Sequence, residues 1–320
     1  MIERTFYRVN PLPIAAEIHD LDLNRLGDAD LRRDLYADWM RYGVLVFRNT
    51  PVDNAQHLAL SRCFGELEMH PLPQIRNPEE PLLMQLGGNK PDKAYVYDEK
   101  NLLVGCVPWH RDTAYTVDIC KGSMLRVLER PEEGGDTLFS DTAAAYDGLP
   151  EGWKQRVAAL QFKATLRLDF REMSRGVTWS SIRWATDEEA PGSKPAVPSH
   201  MLARYPSVVH PMVIEHPESG RKCIFISPTY LDRVLDVSDE ESEEILNFIV
   251  DHTLKPDFIY RHVWAANDLV LWDNRRMMHA ATGYPPKYRR FALRTTLAGS
   301  LKSGRLYDPS AIEAKAELVD

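Results

Sequence analysis

The chain has no Cys-x-x-Cys pair. Its 4 cysteines, Cys63, Cys106, Cys120 and Cys223, are scattered, which argues against a zinc ribbon or a thioredoxin-like dithiol. It has no apolar leader either: the opening MIERTFYRVNPLP lacks the hydrophobic run of a signal peptide. No stretch approaches the roughly 18 uninterrupted apolar residues of a membrane span. Basic charge is not in excess. The net charge is −8 with a pI near 5.7, which argues against non-specific nucleic-acid binding as the main activity. No internal repeat, low-complexity tract or clear linker is visible. These absences lead to the expectation of a soluble, reduced, cytoplasmic protein without a nucleic-acid or membrane partner.

What is present suits a globular fold. The 320 residues are 44% hydrophobic and 27% charged, enough to bury a core in one large domain or two small ones. The 22 Pro and 17 Gly are spread as in a sheet-rich chain with many turns. A helix is expected from Asp28 to Tyr42, where Leu31, Leu35 and Trp39 recur at helical spacing and Gly43 stops the run. A second should open at Asp53 and carry Leu58, Leu60, Cys63 and Phe64 to Gly65. Further helices are expected over Tyr146 to Leu160, with an interruption at Gly148-Leu149-Pro150, and over Ser238 to His252. Val44 to Phe47, Ser123 to Leu128, Asp136 to Phe139, Asp268 to Trp272 and Phe291 to Leu297 read as strands. Val208 to Ile214 and Lys222 to Ile226 flank a turn and read as a hairpin. Many short strands with few long helices point to a mainly β sandwich or jelly roll with flanking helices. The polar, irregular stretch 169–199 reads as a lid over a pocket or as a surface insertion.

Chemistry-bearing residues are few. In Trp109-His110-Arg111-Asp112, residues i and i+2 of an extended strand share a face, so His110 and Asp112 aim an imidazole and a carboxylate at one point. Two histidines and a carboxylate on one face of an ion is the arrangement of non-haem Fe(II) oxygenases. His279, in a loop after the strand ending at Trp272, is the candidate for the second imidazole. Read singly, the triplet is equally a surface histidine near an aspartate, and His279 a ring packed under Tyr284. Arg290 and Arg294, four positions apart, share one strand face. They are either solvent-facing or buried against a carboxylate ligand, which could pair with them bidentately. Gly134-Gly135-Asp136-Thr137 is a turn into a strand that could present the Thr137 hydroxyl. His216-Pro217-Glu218 is a rival metal pair, set aside because Pro-Glu-Ser-Gly is strong turn chemistry and a hairpin tip faces solvent.

Taken together, these blocks resemble the Fe(II)- and 2-oxoglutarate-dependent dioxygenases of the taurine dioxygenase and 2,4-dichlorophenoxyacetate dioxygenase family. The resemblance runs from Phe64-Gly65-Glu66-Leu67 and His70-Pro71 through the Trp109 stretch, Gly134-Gly135-Asp136-Thr137, His210-Pro211 and His216-Pro217. It closes on Trp272-Asp273-Asn274, His279, Arg290 and Arg294. It implies one domain over residues 1–320 with a double-stranded β-helix core. It also implies His110, Asp112 and His279 as Fe(II) ligands, Arg290 and Thr137 on 2-oxoglutarate, and Arg294 and His70 on the anionic group of the substrate. The implied reaction couples decarboxylation of 2-oxoglutarate by O2, giving succinate and CO2, to oxidation of a small, anionic organic molecule. Hydroxylation is favoured because Asp112 is retained, whereas related halogenases lack the carboxylate. Family members associate as dimers or tetramers, so a homo-oligomer is open. Arg111 departs from the small hydroxyl residue usual between the two ligands. Pointing away from the metal on a strand, it is expected to matter little. Val96 to Pro108 and Pro73 depart as well, which touches the substrate more than the reaction. A non-catalytic sensor of the same fold and a metal-dependent hydrolase are the alternatives.

Overall fold

Side-chain caps mark where the first helices start. In the computed structural model, residues 1–70, 73–87, 95–98, 100–167, 182–186, 188–189, 205–299 and 301–308 are described. Strands β1 (Arg8–Pro11) and β2 (Ala16–His19) precede α1 (Ala29–Tyr42). The Asp28 carboxylate accepts from the amides of Asp30 and Leu31, and Gly43 ends the helix at φ 73°, a conformation glycine adopts without a Cβ clash. Leu31, Leu35 and Trp39 are its buried stripe. β3 (Val44–Phe47) is buried at every position. Asp53 and Gln56 form a reciprocal capping box on α2 (Asn54–Ser61). That helix is shorter than expected. Cys63 and Phe64 donate to the carbonyls of Leu60 and Ser61, tightening the chain out of the α-helix before Gly65.

The edge strands β4 (Leu67–Glu68) and β5 (Met84–Gly87) follow, then β6 (Val107–His110), β7 (Gly122–Glu129) and β8 (Thr137–Asp141). The helix expected over Tyr146 to Leu160 is two, α3 (Thr142–Asp147) and α4 (Glu151–Val157), because Pro150 cannot continue the first. Next come β9 (Gln161–Ala164), β10 (Val208–Pro211), β11 (Leu231–Val234) and α5 (Asp239–Thr253), capped by Ser238. The chain then forms β12 (Ile259–His262), β13 (Leu269–Asp273), β14 (Met277–Ala281) and β15 (Phe291–Leu297). The expected hairpin is confined to Val213–Glu215 and Lys222–Ile224, because β10 pairs elsewhere. Most of 169–199 lies outside the described residues; within it, Ile182–Trp184 pairs with Tyr95–Asp98.

Two sheets frame the site. The larger runs β1-β2-β3-β13-β7-β15-β4, with Ile2–Glu3 outside β1 and β5 also on β15. The smaller is β12-β8-β14-β6. One core cluster joins Val46, Leu125, Val270 and Trp272 of the first to Phe139 and Met277 of the second, so the sheets pack face to face as in a jelly roll. A second cluster covers the outer face of the smaller sheet, bringing Trp109, Leu138, Met278 and Ala280 against Phe162, Val208, Ile245 and Ile249. Strand alternation then fixes the site. With Trp109, Leu138, Met278 and Ala280 turned outward, His110, Thr137 and His279 turn into the space between the sheets.

Candidate active site and metal centre

β6 and β14 are neighbours, and His110 is paired directly with His279. His279 is therefore a mid-strand residue rather than a loop residue, and the two rings lie 4.1 Å apart. β6 ends at His110, and Asp112 reaches the same point from the turn beyond. His110 Nε2 is 3.7 Å from Asp112 Oδ1, and His279 Nε2 is 3.7 Å from Asp112 Oδ2. The three ligand atoms lie within 4.8 Å of one another. His110 Nδ1 is 2.8 Å from the Pro108 carbonyl. That contact makes Nδ1 the donor and leaves the Nε2 lone pair facing Asp112, the usual way a ligating imidazole is oriented.

The electrostatics hold the donor set in its metal-binding protonation state. Burial lowers the pKa of His110, and burial with the neighbouring His110 ring drives that of His279 well below its ordinary value. Burial alone would raise the Asp112 carboxyl, but Arg294 and the two imidazoles outweigh it and hold it well below the usual range. Arg294 Nη1 donates to both Asp112 oxygens, at 3.1 and 3.3 Å. Neutral imidazoles beside an ionised carboxylate are the forms that bind a cation. The residues fit a divalent first-row ion in donor type and spacing.

Beside the triad lies a cavity of about 280 Å³, lined in part by His110, Leu125, Thr137, Trp272, His279 and Arg290, with Arg294 at its wall. The Nε of Arg290 is buried without a partner, and among the described residues no carboxylate pairs with its guanidinium. Burial lowers its pKa. The Thr137 hydroxyl accepts from Trp264 Nε1 at 3.1 Å, which leaves its proton free to point into the cavity. A buried cation and a hydroxyl donor next to the triad fit a small dianion. His70 is the sequence-derived residue that does not join this group: it is absent from the cavity lining, and its carbonyl accepts from Arg76 Nε at 2.6 Å.

Several contributors were not evident from sequence. The Asn274 side chain accepts from the Asp112 amide and donates to the Asp112 carbonyl, both at 2.9 Å. Ser123 Oγ donates to Asp112 Oδ2 at 3.3 Å. Asn274 belonged to a family-like block but carried no role, and Ser123 gave no signal. His216 does lie in the hairpin turn, between Val213–Glu215 and Lys222–Ile224, but it does not face solvent: it is buried, with Nε2 2.8 Å from Asp273 Oδ2. It belongs to an ion-pair network with Arg275 and Glu218, not to a metal site.

A double-stranded β-helix holding two histidines and an aspartate beside a buried arginine defines a class of oxygenase. Residues 8–296 match the family described as Taurine catabolism dioxygenase TauD, TfdA family. The chain belongs to that family and is an alpha-ketoglutarate-dependent dioxygenase. It is 32% identical over 268 residues to an (S)-phenoxypropionate/alpha-ketoglutarate-dioxygenase of Sphingobium herbicidovorans, covering 83% of this chain and 85% of that protein. It is 29% identical over 273 residues to an alpha-ketoglutarate-dependent 2,4-dichlorophenoxyacetate dioxygenase of a Burkholderia species, covering 83% and 85%. The crystal structure of a taurine dioxygenase from Burkholderia xenovorans superposes with a TM-score of 0.72 at 25% identity, over 97% of this chain and 98% of that one. Among the described residues, no helix is long and apolar enough to cross a membrane.

Proposed function

We propose that His110, Asp112 and His279 hold Fe(II), that Arg290 and Thr137 hold the distal carboxylate of 2-oxoglutarate, and that the enzyme hydroxylates a small organic acid. The convergence of three ligand atoms from distant parts of the chain within 4.8 Å of one another carries this reading. Bound at these residues, Fe(II) would activate O2, the oxidant, so that one oxygen atom goes into succinate as 2-oxoglutarate loses CO2 and the other into the substrate C–H bond. The protein binds, orients and excludes water. Trp272 and Phe139 flank the His279 ring at 4.8 and 6.3 Å and keep that side dry. Arg290 fixes one end of the co-substrate, so its oxo-acid end faces the triad.

The substrate's anionic group is assigned to Arg294; the family resemblance adds His70 as a second contact, although that residue lies outside the cavity lining. A metal that takes up the charge of Asp112 leaves the Arg294 guanidinium short of a counter-anion, which a carboxylate or sulfonate supplies. The relatives named for phenoxypropionate and 2,4-dichlorophenoxyacetate favour an aryloxyalkanoate or a similar acid with an apolar body. Cytoplasmic location and a dimeric or tetrameric state belong to the same reading. A purified enzyme given Fe(II), ascorbate and 2-oxoglutarate should form succinate, faster with an aryloxyalkanoate present. Absence of both metal binding and succinate formation across a panel of such acids overturns the proposal, and 2-oxoglutarate binding without consumption would replace it with a sensor.

A further inference from the structure

Between the two ligands of β6 and its turn sits a buried cation, Arg111. It is fully buried, one residue past the end of β6. Its Nη1 donates to the Asn274 carbonyl and, at 3.4 Å, to the Met277 carbonyl. Nη2 donates to Thr142 Oγ1 at 3.3 Å and the Ile224 carbonyl at 3.2 Å, and the guanidinium carbon lies 4.7 Å from the Phe225 ring centroid. Among the described residues, no carboxylate pairs with it. Burying an arginine on carbonyl dipoles and a ring face is costly, and a smaller apolar residue would fill a core position at less expense.

Its bonding partners indicate what the arginine does there. Asn274 and Met277 lead into β14, the strand that carries His279. Asn274 returns the connection, holding the amide and carbonyl of Asp112 from its side chain and also donating to the Cys120 carbonyl at 3.0 Å. Each segment thus grips the backbone of the other: Arg111 reaches from the first two ligands to the approach of the third, and Asn274 reaches back. β6 pairs with β14 only at His279–His110 and Ala281–Val107, with a register irregularity between them. The ladder alone therefore defines the spacing of the ligands poorly.

We propose that Arg111 and Asn274 form a reciprocal clamp that sets the separation of His279 from His110 and Asp112, and so determines metal affinity. They are positioning residues, and the inference rests on the metal reading given above. Lysine cannot reproduce the planar fork that reaches several carbonyls at once.

The test compares Co(II) affinity by calorimetry, the Co(II) visible spectrum and the apo-protein Tm for Arg111→Lys, Arg111→Met and Asn274→Ser. Phe162→Leu, a core change in another sheet, serves as a stability control. The clamp variants should bind Co(II) about 10- to 100-fold more weakly with an altered spectrum, while Phe162→Leu binds as the parent does despite its lower Tm. Affinity within less than about tenfold of the parent in both Arg111→Lys and Asn274→Ser overturns the inference. So does loss of the folded state in both, which would make them packing residues alone. Should Arg111→Met not fold, the other two variants decide. A parent enzyme that binds no Co(II) overturns the metal reading itself, and the two failures are thereby distinct.

Discussion

Arg290, just before β15, and Arg294, within it, both border the cavity, yet their surroundings assign them different ligands. Arg290 lies against the cavity with its Nε unpartnered, whereas Arg294 is engaged with the Asp112 carboxylate. Removing Arg290 should therefore raise the KM for 2-oxoglutarate and leave that for the substrate nearly unchanged. A charge-assisted contact contributes on the order of 1.5–3 kcal/mol, which is roughly 10- to 100-fold in affinity. Arg294→Ala should do the reverse, raising the substrate KM by a similar factor. Steady-state kinetics with each ligand varied in turn distinguishes them, and equal effects on both constants would contradict the assignment. Arg111 shows the limit of reading a residue from strand alternation. Alternation implies that it matters little, but period-two logic does not reveal that it is buried and holds the approach to His279.

At the scale of elements, the turn before β8 is tightly constrained backbone near the site. Gly134 and Gly135 have φ of 69° and 70°, which residues with a Cβ adopt at a cost. A Cβ at Gly134 would lie 2.3 Å from the Gly283 carbonyl oxygen, so the clash is with backbone and cannot be relieved by a rotamer change. Gly134→Ala should lower stability by about 1–3 kcal/mol, read as a fall in Tm. It should also weaken 2-oxoglutarate binding, because the same turn delivers Thr137; retention of both would show the turn to be more pliable than its geometry. The elements themselves were largely legible. Candidate caps at Asp28 or Asp30, at Asp53, and at Ser238 or Asp239 marked helix starts, and a continuous apolar run marked β3, because local chemistry decides those. Pairing was not legible. The adjacency of β6 and β14, which converts His279 from a loop residue into a strand partner of His110, depends on contacts far apart in sequence. For the same reason the bonds of Asn274 to Asp112 and of His216 to Asp273 left no local trace.

For the whole molecule, ligand binding and protonation are both stability terms. A metal that binds the folded triad but not the unfolded chain should stabilise by about 2.7 kcal/mol at a hundredfold excess over Kd. Co(II) should accordingly raise Tm, and Asp112→Ala should abolish the rise. Acid should act in the opposite direction through buried histidines outside the triad. Burial lowers the pKa of His57 to about 3 and of His210 to about 4, against 6.5 unperturbed. Burial keeps the His210 ring neutral even though its contacts oppose this: Nε2 lies 3.1 Å from the Ala114 carbonyl and Nδ1 3.1 Å from Ser303 Oγ. Between pH 6.5 and about 4 the unfolded chain takes up a proton at this position and the folded chain does not. Stability therefore rises with pH across that window. The contribution is complete above it and is lost as the pH falls through it, on the order of 3 kcal/mol for a shift of this size. The deeply depressed carboxyls of Asp112 and Asp273 stay ionised throughout, so the histidines govern the first acid loss. The apo-protein Tm should fall steadily from pH 7 to pH 4. His210→Gln, which keeps a donor and an acceptor but cannot titrate, should flatten that slope, whereas a slope identical to that of the parent would show that this ring carries none of the acid sensitivity.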